Sequence, residues 1–208
     1  YVGSYMPGKW GIPHDELIKM PGFRQPKDAD IAEAKKLLAE AGFPDGFTVK
    51  SLVRSGRKYE NVAVFIADQM AKVGIKPELD VKEGAVRTKL LNEGAFNNQP
   101  GTSSLNFGDP ENVARYWARP LKGDWSNNWQ RYGDEKVWEL FDKQSRAIDP
   151  AERKKIVREL DLYLIDCAAR PIIYWENAIL AHWPEVKNRG GLYGNYNFQQ
   201  YQDVWLAK

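Results

Sequence analysis

The chain has 208 residues, with 30 Lys plus Arg against 28 Asp plus Glu, one cysteine, two histidines and eight tryptophans. A formal net charge of +2 argues against nucleic acid as the main partner, because phosphate binding needs a concentrated basic face. A hydrophobic share of 43% is enough to order a core, and a single cysteine excludes both an internal disulfide framework and a cysteine-rich metal site.

In chain order, Pro7, Pro13, Pro21 and Pro26 leave no room for a helix of ordinary length, so residues 1–27 read as an extended leading segment. From Asp30 the pattern turns helical. Ile31, Ala34, Leu37, Leu38 and Ala41 recur at helical spacing, Asp30 with Glu33 has the form of a capping box, and Gly42 ends the run. Residues 47–54 alternate as a strand with Phe47, Val49 and Val53 on one face. Residues 60–73 bring Val62, Phe65, Ile66, Gln69 and Val73 onto one helical face closed by Gly74, and Ile75, Pro77, Leu79 and Val81 alternate as a second strand. Strand, helix and strand in this span predict a βαβ unit with parallel strands and a right-handed crossover.

Residues 84–94 form a further short helix, and residues 95–109, with isolated Leu105 and Phe107, a strand ending in a polar loop. Asp109 is a suitable N-cap for a helix opened by Pro110 and running to residue 118. The cap pattern repeats at residues 134–148, with Val137, Leu140, Phe141 and Ile148 inward. Asp149 and Pro150 then open a longer helix through Ala169 whose Ile156, Leu160, Tyr163, Leu164 and Cys167 share a stripe, which makes Cys167 a buried packing residue. Residues 171–181 read as an inner strand, and the Gly, Tyr and Asn-rich tail from Gly190 ends in Val204, Trp205 and Leu206.

Chemistry on a substrate finds little support. A Ser-His-Asp arrangement would have to use His14 or His182, and neither accompanies a Gly-x-Ser-x-Gly elbow. Zinc-ligand spacings and phosphate-binding glycine loops are absent from the sequence, so no metal or nucleotide cofactor is expected. Most carboxylates sit at helix starts or on polar faces, where capping explains them. What remains is binding. In α/β sheets ligands sit beyond the carboxyl ends of the strands, and the loops there supply Arg54 and Tyr59, Asn106 and Asp109, and Asn128 and Trp129 in the segment WSNNWQRY, residues 125–132. Trp129 has two readings, a ligand platform or a plug against the sheet with Asn127 and Asn128 satisfying turns. Arg54 likewise reads as the partner of an anionic ligand group or as a surface arginine. The alternative in a different class is a carbohydrate-active hydrolase that uses the aromatic loop as a platform, which requires a carboxylate pair beside Trp129 with one member buried.

Several phrases, in this order, resemble the C-terminal part of the family five extracellular solute-binding proteins, which serve ABC importers for peptides, nickel, opines and related solutes. They are DIAEAKKLLAEAGFPDGF (residues 30–47), KVGIKPEL (72–79), Asp109-Pro110, the stretch from Tyr132 to Trp175, and the closing VKNRGG and DVWLAK. The resemblance implies an α/β fold, the C-terminal lobe of a type II periplasmic-binding-protein fold with βαβ units and flanking helices, as a fragment of a two-lobed protein. Residues 1–27 would lead in from the N-terminal lobe, 28–185 form the C-terminal lobe, and 186–208 return towards the N-terminal lobe. It further implies a small-molecule or short-peptide ligand, a membrane permease as partner, a periplasmic location and no cofactor. Peptide-binding members commonly carry an aspartate for the peptide's α-amino group a few residues before the Asp-Pro step. Asn106 stands at the matching position here, a neutral amide that lacks the charge-assisted attraction and makes a non-peptide solute at least as good a fit.

Overall fold

The computed structural model describes residues 4–5, 10–101, 109–114, 116–117, 119, 125, 127–175, 181–189 and 201–207. It divides into two units, one from Pro13–Ser103 and Arg119–Tyr132 and the other from Val2–Ile12, Ser104–Ala118 and Gly133–Lys208.

In the first unit the prolines do not give a purely extended lead. Pro13 precedes a single helical turn, α1 (His14–Leu17), whose Leu17 is buried. Helix α2 (Asp28–Glu40) starts two residues before the expected cap. Asp30 lies inside its first turn and, with Glu33, takes the guanidinium of Arg24, so the expected capping box is replaced by an ion-paired bracket across the preceding turn. Ile31, Ala34 and Leu38 are half-buried, while Leu37 and Ala41 face solvent.

The βαβ unit forms as expected. Strand β1 (Phe47–Arg54) pairs in parallel with β2 (Ile75–Lys82), from Phe47 opposite Ile75 to Arg54 opposite Lys82, and α3 (Arg57–Ala71) makes the crossover. The turns entering the two strands touch: a Cβ on Gly46 (φ +74°) would stand 1.9 Å from the Gly74 carbonyl oxygen. On its other edge β1 meets Asn98 through a parallel bridge, with Leu52 N–H donating to the Asn98 carbonyl and Asn98 N–H to that of Lys50. This bridge is what the described residues show of the third strand expected at 95–109. Leu105 and Phe107 lie outside the described residues.

Ser51, Leu52 and Val53 are all buried, where simple alternation would bury every second residue, so both faces of β1 are covered at this point. β2 tolerates Pro77, as an edge strand can, and Val81 is exposed rather than inward. The buried face of α3 runs through Ala63, with Val62, Ile66 and Ala67 half-buried, and leaves Phe65 at 57% exposure and Gln69 in solvent. The expected face was rotated because small Ala63 and Ala67 let the helix approach the sheet more closely than Phe65 would. Helix α4 (Gly84–Glu93) ends at Gly94 in the left-handed conformation.

In the second unit α5 (Glu111–Ala114) follows Asp109, whose carboxylate accepts from Glu111 N–H. α6 (Glu135–Arg146) and α7 (Pro150–Cys167) are capped by Asp134 and Asp149, each accepting from the amide three residues on. Such caps contribute about 1 kcal/mol each. The two helices pack through Val137, Leu140 and Phe141 against Val157, Leu160 and Leu164. Ile148 is 96% exposed, not inward, because α6 stops at Arg146 and the extended Ala147 turns the chain out. Cys167 is half-buried rather than enclosed, one residue before the left-handed Ala168 that ends α7. Residues 171–175 carry no strand, and Ile173 and Tyr174 are exposed, so the described part of the expected inner strand is irregular surface chain. The tail instead supplies β4 (Trp205–Leu206), antiparallel to β3 (Val186–Lys187).

Asp161 on α7 is a buried carboxylate. It accepts from Ser4 N–H at 2.7 Å and Ile12 N–H at 3.3 Å, so it holds the leading chain to the helix. Burial raises its pKa to about 6, against the lowering effect of those amide bonds.

Two outcomes check this account. Gly46→Ala should destabilise by about 1–3 kcal/mol and more than Gly42→Ala, since both have positive φ but only Gly46 would also strike backbone; urea-denaturation midpoints decide it. For Asp161 the folded state holds its proton more tightly than the unfolded chain. Its contribution is therefore largest at low pH and falls as pH rises from about 4 to about 6, by about 3 kcal/mol in all. Asp161→Asn should flatten unfolding free energy across that window; parallel wild-type and variant profiles would refute the burial effect.

Candidate functional site

The carboxyl end of β1 delivers Arg54, and the chain then turns at Gly56 into α3. Ser55 N–H donates to the Lys82 carbonyl, which keeps the ends of both strands together. Gly56 has φ +122°, and its N–H is taken by Glu60 Oε1. One turn into α3, Tyr59 receives a hydrogen bond from Arg54 Nη1 at 3.2 Å, and the Arg54 guanidinium lies 4.9 Å from the Tyr59 ring centre. Arg54 and Tyr59, which the sequence places on one loop, are thus joined by a hydrogen bond and a ring contact.

β2 ends at Lys82, and α4 begins two residues later. Its N-cap residue Glu83 makes no side-chain cap, its carboxylate instead accepting from Ser55 Oγ, and the first turn carries no acid. Gly84 lies beneath Arg54: a Cβ there would stand 3.3 Å from Arg54 Nε. Arg54, Gly84, Ala85, Arg87 and Thr88 line a cavity of about 440 Å³, within the size range of small-molecule sites.

Arg87 is the residue that sequence reasoning missed. It is 8% exposed, on the same face of α4 as buried Leu91. Its Nε has no hydrogen-bond partner, and no carboxylate pairs with it among the described residues. Burial, then the nearby Arg54 charge, lowers its pKa below the usual arginine value, with Tyr59 acting in the opposite sense. The guanidinium lies 5.9 Å from the Trp129 ring centre, near the limit of a cation–π contact worth about 0.5–2 kcal/mol. Burial of an ion costs several kcal/mol, so the ring alone does not offset it. The signal in the sequence is its place four residues before Leu91, on one helical face.

The aromatic loop folds onto α4. Trp129 Nε1 donates to Asn92 Oδ1 at 2.9 Å, and Arg131 Nη2 donates to the Asn92 carbonyl at 3.1 Å, placing a cation at the helix C-terminus. Asn128 is fully buried and shapes the loop, its N–H donating to the Trp125 carbonyl and its side-chain amide to that of Tyr132. Asn128 thus builds the turn, and half-buried Trp129, bonded to Asn92, stands beside the arginine cavity.

Asp109 lies in the other unit. Arg153 grips it with two bonds of 2.9 and 2.8 Å, and Arg153 also donates to Gln144 and lies over the Trp10 ring. Its carboxylate is engaged in holding α5 to α7. Asn106 falls outside the described residues. No group of three or more His, Cys, Asp or Glu that could hold a metal occurs among the described residues.

The family model described as bacterial extracellular solute-binding proteins, family 5 Middle, matches residues 1–125. The chain belongs to that family. It is 25% identical over 187 residues to the glutathione-binding protein GsiB of Shigella flexneri, a match covering 85% of this chain and 34% of that protein. To heme-binding protein A of Haemophilus influenzae it is 28% identical over 138 residues, covering 62% and 24%. Among solved structures it is similar to AgaA of A. tumefaciens R10 in complex with agropinic acid, at TM-score 0.61 and 26% identity, covering 81% of this chain and 34% of that one. The chain thus spans about a third or less of the length of these family five relatives, and its fold is part of a type II periplasmic binding protein. These relatives are named for binding. No helix of the described residues is long and apolar enough to cross a membrane.

If Trp129 anchors the loop on α4, Trp129→Phe keeps a ring over Arg87 but removes the bond to Asn92. Amide hydrogen exchange at residues 127–132 should then quicken about 3- to 10-fold, the equivalent of one hydrogen bond; unchanged protection would show that the indole bond does not hold the loop.

Proposed function

We propose that this chain supplies the C-terminal lobe of a periplasmic solute receptor, which captures a small solute between two lobes and delivers it to the membrane permease of an ABC importer without altering it. The observation that carries the reading is membership of the solute-binding family together with a cavity at the strand ends, lined by Arg54 and Arg87 and flanked by Tyr59 and Trp129. In this reading residues 1–27 lead in from an N-terminal lobe and residues 186–208 return to it. Closure is a hinge motion between the lobes.

Arg54, Tyr59 and Trp129 supply one wall of the cleft. Asn128 holds the loop in shape, and Asn106 is assigned to the ligand side on the family pattern, while the carboxylate of Asp109 is taken by Arg153. The matched relatives are named for glutathione, heme and agropinic acid, and Asn106 in place of an aspartate favours a solute without a peptide's free α-amino group. An opine, a modified peptide or a saccharide derivative fits this class.

Native mass spectrometry of the full protein purified from its own host should reveal a co-purifying solute. Adding that solute should raise the melting temperature by several degrees, as binding to the native state alone requires. Residues 1–208 alone should bind at least 100-fold more weakly, since half the contacts would be missing. Equal affinity of the fragment and the full protein would refute the two-lobe mechanism.

A further inference from the structure

Arg87 is a buried cation with an open donor. Its Nε is unpartnered, and its guanidinium lines the 440 Å³ cavity shared with Arg54. Gly101 runs against it: a Cβ there would lie 2.9 Å from Arg87 Nη2, so the absence of a side chain lets the chain pass beside the guanidinium. Arg54 spends Nη1 on Tyr59 and places Nε and Nη2 over Gly84. Two guanidinium groups of like charge thus border one small space. The same space is lined by Gly84 and Ala85, the first residues of the ten-residue helix α4, whose N-terminus carries no side-chain cap and no acid in its first turn. Every fixed charge lining the cavity is positive, and the helix dipole adds to them. Like charges converge in this way where an anion completes the arrangement, and a planar guanidinium matches an oxyanion through paired N–H donors.

We propose that Arg87 and Arg54, at the N-terminus of α4, form an oxyanion pocket that grips the acidic end of the solute, so that the ligands of this receptor are anionic. This rests on the solute-receptor reading and narrows it. Arg87 is the buried anchor, held against Trp129, and Arg54 is the exposed arm that Tyr59 steadies. The group held is a carboxylate or a phosphate, which share this chemistry.

The test follows the arginine Nε–Hε signals of the 15N-labelled full protein by NMR during titration with sodium glutarate, and separately with sodium phosphate, at ionic strength kept constant with sodium chloride. The Arg87 signal should shift saturably. Response to glutarate alone assigns a carboxylate, response to phosphate alone assigns a phosphate, and response to both assigns a general oxyanion site. Arg54→Gln, at an exposed position, should weaken the response of Arg87 at least tenfold. Arg87→Lys, which keeps the charge and loses the fork, should weaken the response of Arg54 similarly. An Arg87 signal that neither anion moves beyond the chloride control overturns the pocket, as does an Arg87 response unchanged by Arg54→Gln. Failure of the underlying reading looks different: anions move Arg87 but no solute co-purifies with or stabilises the full protein. Stabilisation by a neutral solute with Arg87 unmoved leaves the receptor standing and removes the pocket.

Discussion

The parallel register of β1 and β2 is the constraint on which the site depends. Pairing Arg54 opposite Lys82 brings both strands to an end at the same level, and each then turns directly into a helix. Arg54 comes at the end of β1 and Arg87 one turn into α4, so residues 33 apart in the chain border one cavity, and Tyr59 in the first turn of α3 is bonded to Arg54. At the opposite end, Gly46 and Gly74 let the entering turns touch. A side chain at Gly46 would strike the Gly74 backbone and force those turns apart. The bridge from Asn98 pins β1 from its other edge, where Leu52 and Val53 are buried.

The two units treat their charges in different ways. In the second, Asp109 is matched by Arg153, and Asp161 spends its lone pairs on the amides of Ser4 and Ile12. Those charges close within the fold and hold segments distant in sequence. In the first unit Arg87 is buried with its Nε open and a second arginine beside it. A fold gains nothing in stability from such a group, since desolvation is uncompensated. The contrast separates residues that organise structure from one whose partner comes from outside. It also changes the standing of Asp109, which the sequence offered as a ligand residue and the fold uses as the counter-charge of Arg153.

Local signals were legible where they act within one or two turns. Asp134 and Asp149 announced the caps of α6 and α7, and alternation with Gly74 between announced the βαβ unit. They were less informative where packing partners decide. Phe65 satisfied the helical period but lost the inner face to Ala63 and Ala67, and Asp30 with Glu33 had a cap's spacing but was claimed by Arg24. The tryptophan excess likewise divides only in three dimensions: Trp117 is buried, Trp129 is tied to Asn92, and Trp183 is 78% exposed.

The sequence by itself determined the family, the α/β class, the parallel pair and the loops from which Arg54, Tyr59 and Trp129 come. Periodicity, caps and turn residues act over a few positions and are written in neighbouring residues. That Arg87 would be buried with its Nε open was decided only by the tertiary structure. Burial of Arg87 depends on Trp129, Gly101 and Arg54 arriving from separate segments, and the field at a charge is a sum over neighbours in space. That sum makes the cavity basic in a chain whose overall charge is almost balanced.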